Sequence, residues 1–345
     1  MLQMWNEILE QPAVLERCLN YNTEVIREIV KKIRSKEVSS IYIAARGTSD
    51  HAAVYGKYLL ELETGIPVGL AAPSIFTMYK KTLELKNSLV IGISQSGKAA
   101  DVLEVIRGAR EKGALTVSIT NFDDSPLAVG AEFHLLCKAG EEKSVAATKT
   151  FTSQIYILAA LAAEWAKNEA LKKELLTVPE KILQTFELAQ EIKERVERYC
   201  FINECFVLAR GVNYAIALEA ALKIQETTYV RAKAFATSDF YHGPLAMINK
   251  DIPIMIFAPD GPSLKDLNEM ILKLKEGQNE LVVISNLKHL LELGTYGFAI
   301  PETNNDIISP FFNVVFAQMF ACQLAVVKGL NPDAPRGLHK VTITM

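Results

Sequence analysis

The sequence predicts an α/β protein built from two copies of one fold, each a parallel sheet flanked by helices in three layers. The first observation behind this is an alternation. Short β-branched runs at Ser40–Ala45, Val68–Ala71, Leu89–Ile93, Leu115–Thr120 and Phe133–Cys137 alternate with turns and stretches of helical spacing. Strands fed by helices in this way form parallel sheets covered on both faces. The second observation is a repeat. Ile43-Ala44-Ala45-Arg46-Gly47 returns as Val207-Leu208-Ala209-Arg210-Gly211, an offset of 164 (211 − 47). Without a gap, that offset pairs Ser74 with Ser238, Phe76 with Phe240 and Gly97 with Gly261, and lays Leu89–Ile93 over Pro253–Phe257. With one extra residue, Ile119-Thr120-Asn121 pairs with Ile284-Ser285-Asn286. A register kept over such a distance marks a duplicated unit.

In order, residues 4–35 read as helix, with apolar residues on one face and Pro12 as punctuation. The first copy follows, with Ala52–Leu62 as the helix after its first strand and Thr150–Lys167 as an apolar-rich helix near its end. Helical connectors run to about Tyr199, and the second copy begins soon after. The expected segments are an N-terminal helical part (1–35), a first domain (36–168), a connector (169–200), a second domain (201–330) and a tail (331–345) that closes the site. At 345 residues the chain has room for two ordinary cores. A net charge of −3 gives no electrostatic case for nucleic acid or an anionic membrane. The five cysteines are scattered, with neither a disulfide framework nor metal-ligand spacing, which points to a reducing, cytoplasmic setting. The acidic, amphipathic start MLQMWNEILEQP lacks the basic end and apolar core of a signal peptide. No apolar run is read as reaching the length of a membrane span.

The most informative stretch is Ser88–Gly108. A buried strand, Leu89–Ile93, ends at Ser94-Gln95-Ser96-Gly97, and from Ala99 onward Val102, Leu103, Val105 and Ile106 recur at helical spacing. Strand, polar turn and helix together place hydroxyls, an amide and orphan N–H groups at a positive helix end, which suits an anion. Gly97 permits close backbone approach. No Lys-Ser/Thr pair follows, so a nucleoside-triphosphate loop is excluded, and a monophosphate ester held without metal is the chemical reading. The alternative is an ordinary helix cap. In the second copy Ser94-Gln95-Ser96 becomes Ala258-Pro259-Asp260, so that copy is expected to cradle no phosphate there and to contribute something else.

What it contributes is read in Leu218–Ile248. Glu219, Lys223 and Glu226 are spaced to share one face of a helix that starts near Tyr214. That face is either a tuned general base or a solvated salt-bridge ladder. His242, before Gly243-Pro244, lies in a turn, where it either passes protons or does nothing. His51, His134, His289 and His339 show no pair at metal-binding spacing, and neither metal nor cofactor is expected. Gly47 lacks the partner glycines of a dinucleotide fingerprint. Gly140–Lys143 reads as a solvated turn, Ser144–Lys149 as a segment able to line a sugar pocket, and Lys340 as a group on a loose tail that could reach a site.

These residues resemble the double sugar-isomerase (SIS) domain family, in particular the isomerase half of glutamine–fructose-6-phosphate amidotransferases. The resemblance covers about Ile41 to Met345. It rests on GTS (Gly47–Ser49), SQSG (Ser94–Gly97), VAATKTFTSQ (Val145–Gln154), ALEAALKIQETTY…HGPLAMI (Ala217–Ile248) and PRGLHKVTIT (Pro335–Thr344). It implies two flavodoxin-like SIS subdomains and a homodimer with shared sites. By position, Gly47, Thr48, Ser49, Ser94, Gln95, Ser96, Gly97 and Ala99 would surround the sugar 6-phosphate, and Val145 and Ala147 would border the sugar chain. Glu226 would move a proton between C1 and C2, and His242 would open the ring, reaching across from the partner subunit. Lys223 and Lys340 would complete the site. The sequence departs from the family pattern at Ala99, where a hydroxyl is usual, at Lys98, where an acid is usual, at Ala147 for serine and at Gln225 for lysine.

The start Met1-Leu2-Gln3-Met4 carries no terminal cysteine nucleophile, so no glutaminase is expected. The resemblance then implies a stand-alone deaminase turning glucosamine 6-phosphate into fructose 6-phosphate and ammonia. The alternatives are a fructosamine-6-phosphate deglycase, a galactosamine-6-phosphate-type deaminase, and, from another class, a non-catalytic sugar-phosphate sensor, which would need neither Glu226 nor His242.

Overall fold

Pro12 divides the N-terminal helical stretch as its chemistry requires. A proline lacks an N–H, and only the first turn of a helix can spare one. Helix α1 (Gln3–Leu9) therefore ends before it, and α2 (Gln11–Ser35) begins with Pro12 in its first turn. The computed structural model describes residues 2–303 and 305–340, so the expected last β-branched run, Val341–Thr344, lies outside the described residues.

The first repeat runs β1 (Ser40–Ala44), α3 (Thr48–Thr64), β2 (Val68–Leu70), α4 (Pro73–Thr77), β3 (Ser88–Ile93), α5 (Ala100–Glu111), β4 (Leu115–Thr120), α6 (Pro126–Gly130), β5 (Phe133–Leu136) and α7 (Lys149–Ala166). Its five strands are all parallel, in the order β2-β1-β3-β4-β5. Central β3 and β4 bury every residue, which explains their unbroken apolar character. Helices α8 (Glu169–Phe186) and α9 (Ala189–Val196) connect the repeats.

The second repeat runs β6 (Glu204–Ala209), α10 (Tyr214–Thr228), β7 (Arg231–Ala236), α11 (Thr237–Tyr241), β8 (Ile254–Phe257), α12 (Leu264–Glu276), β9 (Leu281–Ser285), α13 (Lys288–Leu291), β10 (Tyr296–Ala299) and α14 (Ser309–Val327). Its sheet order is β10-β9-β8-β6-β7, again all parallel. Counted from each repeat's own first strand, both sheets read 2-1-3-4-5, the flavodoxin-like order. The duplication seen in the sequence is thus a duplication of topology.

The compact units do not follow the sequence boundaries. One holds Glu10–Glu142 and Lys149–Thr177, together with His339 and Lys340. The other holds the chain up to Leu9, Lys143–Thr148 and Val178–Leu338. In the latter, α1 docks on α14, and Asp333 caps it by accepting from the Gln3 and Met4 N–H groups at 2.8 and 2.7 Å. Helix α14 corrects one expectation. By length and composition alone its 19 residues, with a mean hydropathy of 1.6, are apolar enough to cross a membrane. It is instead 83% buried, packed against α10, α9 and α1. A core helix enclosed on all sides carries the same apolar signature as a span.

Candidate active site

In a 2-1-3-4-5 sheet the chain leaves its first and third strands toward opposite edges, which opens a crevice beyond their carboxyl ends. In the first repeat those strands are β1 and β3. Their register pairs Ala44 with Gly92, which sets the turn Arg46–Ser49 level with the turn Ser94–Gly97. Helix α3 starts after Gly47 and α5 after Ala99, and neither N-cap residue makes a side-chain capping bond. Two uncapped, positive helix ends therefore serve one crevice, with N–H groups to spare.

Ser49 and Ser94 are 6% and 7% exposed. The Ser94 hydroxyl accepts from the Gly97 N–H at 3.2 Å and closes the turn. The Ser49 hydroxyl has no protein partner among the described residues. In a residue this little exposed, a hydroxyl with no protein partner remains available to a ligand or water. Gly97 has φ +65°, and a Cβ there would lie 2.1 Å from the Ser125 hydroxyl. That hydroxyl is itself committed, because it caps α6 by accepting from the Ala128 N–H at 3.3 Å. Thr48 and the half-buried Gln95 and Ser96 complete the turns, while Ala99 brings no hydroxyl to the start of α5.

The matching turn of the second repeat packs against an acid rather than a hydroxyl. Gly261 packs on Asp306, whose Cβ would lie 2.7 Å from an added methyl. Burial raises the Asp306 carboxyl above its ordinary range. Asn286 accepts from the Asp260 N–H at 2.8 Å.

That repeat's buried ionisable groups lie on α10. Glu219, Lys223 and Glu226 share a face, but it is no solvated ladder: the side-chain exposures are 0%, 0% and 22%. The Lys223 Nζ lies 2.5 Å from Glu226 Oε2 and 3.4 Å from Glu219 Oε1. Burial disfavours the ammonium, yet the two carboxylates outweigh it and hold Lys223 above its ordinary range. Only Glu226 keeps an open edge. A carboxylate fixed by a buried cation, with one side free, is what a positioned proton carrier requires.

Lys340 is pinned rather than loose: its Nζ lies 2.7 Å from Glu142 Oε2. Glu142 also accepts from the Thr150 N–H at 3.1 Å and the Thr150 hydroxyl at 2.8 Å, at the start of α7. The solvated-turn reading of Gly140–Lys143 is therefore corrected at Glu142, whose side chain is fully buried. Its only sequence signal is a threonine eight residues on, outside the spacing of a capping box.

Val145 and Ala147 lie half-buried on Lys143–Thr148, alternating with buried Ser144, Ala146 and Thr148. Glu7 of α1, itself buried, holds this segment by accepting from the Lys143 N–H at 2.5 Å and from the Ser144 hydroxyl. His242 ends α11 with an exposed side chain, its N–H donating to the Asp239 carbonyl at 3.0 Å. Among the described residues nothing brings another proposed site residue to its ring, and no group of three or more His, Cys, Asp or Glu side chains is placed to hold a metal ion.

The SIS domain matches residues 33–164 and 202–328. The glutamine–fructose-6-phosphate aminotransferase (isomerizing) of Aquifex aeolicus is 35% identical over 347 residues, which cover 99% of this chain and 57% of that protein. The chain thus spans just over half the length of the curated relatives it matches. Among solved structures, the C-terminal domain of glucosamine-fructose-6-phosphate aminotransferase from Francisella tularensis superposes with a TM-score of 0.87 at 26% identity, covering 97% of this chain and 98% of that one. A candidate phosphosugar isomerase from Silicibacter pomeroyi gives 0.86 at 29% identity, covering 96% of this chain and all of the other.

Proposed function

The chain belongs to the SIS domain family, and from that premise we propose that it is a sugar-phosphate isomerase whose reaction ends in deamination: glucosamine 6-phosphate and water give fructose 6-phosphate and ammonia. The observation that carries this reading is the Glu226 carboxylate, held by the buried Lys223 ammonium with one edge open.

The phosphate ester binds at the β1–β3 crevice through Ser49, Ser94, Gln95, Ser96 and the helix-end N–H groups. Val145 and Ala147 border the sugar chain. His242, exposed on its own chain, opens the pyranose ring in the site of a second subunit. In the open aldehyde the C2 hydrogen is acidic because the carbonyl takes up the charge. Glu226 removes that proton, and the electron pair forms a C1–C2 enolamine. The protonated Glu226 then returns the proton to C1 while one amine proton passes to the C1 oxygen, which leaves a C1 hydroxyl and a ketimine at C2. Water adds to C2, the C–N bond breaks, and ammonia departs. Lys340, oriented by Glu142, lies beside the reacting carbonyl or amine. One positioned base of this kind contributes ~10²–10⁴-fold.

The test is incubation of the purified protein with glucosamine 6-phosphate in D₂O, with ammonia assayed and the sugar followed by NMR. Equimolar ammonia and fructose 6-phosphate, with deuterium at C1, are expected. Hydrogen exchange without ammonia would keep the isomerase and remove the deaminase, and fructosamine 6-phosphates become the next substrates. No exchange and no product would remove both. The shared site predicts that Glu226→Gln and His242→Ala chains, each inactive alone, regain activity when mixed and reassembled.

A further inference from the structure

We infer that Arg46 is a phosphate-binding residue: Asp101 holds its guanidinium at the β1–β3 crevice, where it adds a fixed countercharge to the hydroxyl-lined cradle. This rests on the reading of that crevice as a phosphate site.

A phosphate monoester carries about −1.5 to −2 charges at neutral pH. The groups that line the crevice, Thr48, Ser49, Ser94, Gln95, Ser96, Gly97 and Ala99, are neutral, and the one cation within these turns besides Arg46 is Lys98, an exposed side chain for which no ion pair fixes a position among the described residues. Worse, the two helices that open onto it carry acids in their first turns, Asp50 in α3 and Asp101 in α5. Asp101 is 2% exposed. A dianion placed among these carboxylates needs a cation close by. Arg46 stands in the turn after β1, level with Ser94 through the Ala44–Gly92 register. Its Nε lies 2.5 Å from Asp101 Oδ2, so the guanidinium is fixed at the start of α5. It remains 51% exposed, and its two terminal amino groups make no hydrogen bond among the described residues, although its charge also acts on the nearby Asp50 carboxylate. A guanidinium gripped by Nε and free at its fork is prepared for bidentate contact with an oxyanion.

The second repeat supplies an internal control. Arg210 is the equivalent residue at the 164 offset, and Asp266, in the first turn of α12, takes the place of Asp101. There the arginine is spent on the protein. A terminal amino group donates to the Ser238 hydroxyl, Nε lies 3.8 Å from Asp266, and the Thr237 hydroxyl donates to that same carboxylate. Ser74, the counterpart of Ser238, makes no bond to Arg46 among the described residues. The same Arg–Asp device is therefore saturated where no anion is expected and unsaturated where one is.

The test compares Arg46→Gln and Arg210→Gln in the full chain. Calorimetry measures the affinity for inorganic phosphate, and kinetics measure KM and kcat for glucosamine 6-phosphate. Arg46→Gln should weaken phosphate and raise KM about tenfold, the range of a partly exposed charge-assisted contact, with kcat changing less than KM. Arg46→Lys should recover part of the loss, and Arg210→Gln should leave phosphate affinity as in the wild type. Unchanged phosphate affinity in Arg46→Gln, with only a lower Tm, would overturn the inference and leave a structural staple on Asp101. A wild-type chain that binds no phosphate at millimolar concentration would overturn the cradle and the inference together. Weakened phosphate binding in Arg46→Gln sustains the inference even if no amino sugar is turned over.

Discussion

Helix α3 of the first repeat carries Tyr55, Leu59 and Leu62 at the positions where α10 of the second carries Glu219, Lys223 and Glu226, 164 residues on. The reverse holds at the crevices. The first is lined by serines, while in the second Asp306 packs on Gly261 and Asn286 accepts from the Asp260 N–H. Strand order and register are otherwise shared. Under the proposed function, one fold holds an anion crevice in one copy and a buried proton-carrying face in the other. A buried ion pair is poor evidence for stability, since desolvation offsets much of the attraction. Its presence in only one of two equivalent helices therefore argues that chemistry retains it, because Leu59 shows that the position packs well without charge.

The comparison can be tested at its strongest point first. Glu226→Gln should lower turnover by ~10²–10⁴-fold and leave the calorimetric affinity for inorganic phosphate intact. If phosphate affinity fell as well, the division of labour between the repeats would be broken. Next, Lys223→Met strands two carboxylates and should cost about 3–5 kcal/mol in urea unfolding. The matched Leu59→Met in the first repeat should cost under about 1.5 kcal/mol. The pH dependence has a defined sign. Lys223 titrates above its ordinary value, so its contribution is complete below the unfolded lysine pKa of about 10.4 and fades as pH rises through the higher folded value. The gap between wild type and Lys223→Met should persist through neutrality and narrow only at strongly alkaline pH.

Third, Gly97→Ala should cost about 1–3 kcal/mol for a left-handed residue and also weaken phosphate, because its Cβ meets Ser125. Gly261→Ala, at φ +149° against Asp306, should lower stability and spare phosphate. Equal effects on phosphate would remove the asymmetry of the crevices. The smallest effect sharpens the picture of both units as closed cores. Cys18, Cys137, Cys205 and Cys322 are buried, and Cys200 is half-exposed. Burial pushes the Cys18, Cys205 and Cys322 thiols up to about 12 and holds the Cys137 thiol well above its ordinary value. A native thiol titration should therefore register Cys200 alone.

Most of the architecture was legible because its signals are local. Apolar runs gave the strands, Pro12 gave the helix break, and the 164-residue offset gave the duplicated topology. The shared face of Glu219, Lys223 and Glu226 followed from helical spacing, but its burial did not, because spacing cannot distinguish a face turned to water from one turned to a core. Glu142 was missed for the same reason: its partners, Thr150 and Lys340, lie 8 and 198 residues away. Helix α14 was misjudged as to membrane-spanning length because Asn313 and Gln318 interrupt its apolar run, and both are buried in the core. The role of Arg46 emerged only when Arg210 could be seen spending its hydrogen bonds elsewhere.

The docking of α1 bears on the birth of the chain. Gln3 and Asp333 meet across 330 residues, so α1 leaves the ribosome long before the acid that caps it and the α14 surface that covers Met4 and Ile8. At ~5–20 residues per second that interval is roughly 15–65 s. Throughout it the second repeat's compact unit lacks its final partner, and the apolar face of α1 is open to chaperones. Slowing translation within the last third of the message should lengthen that exposure without changing a single residue of the product.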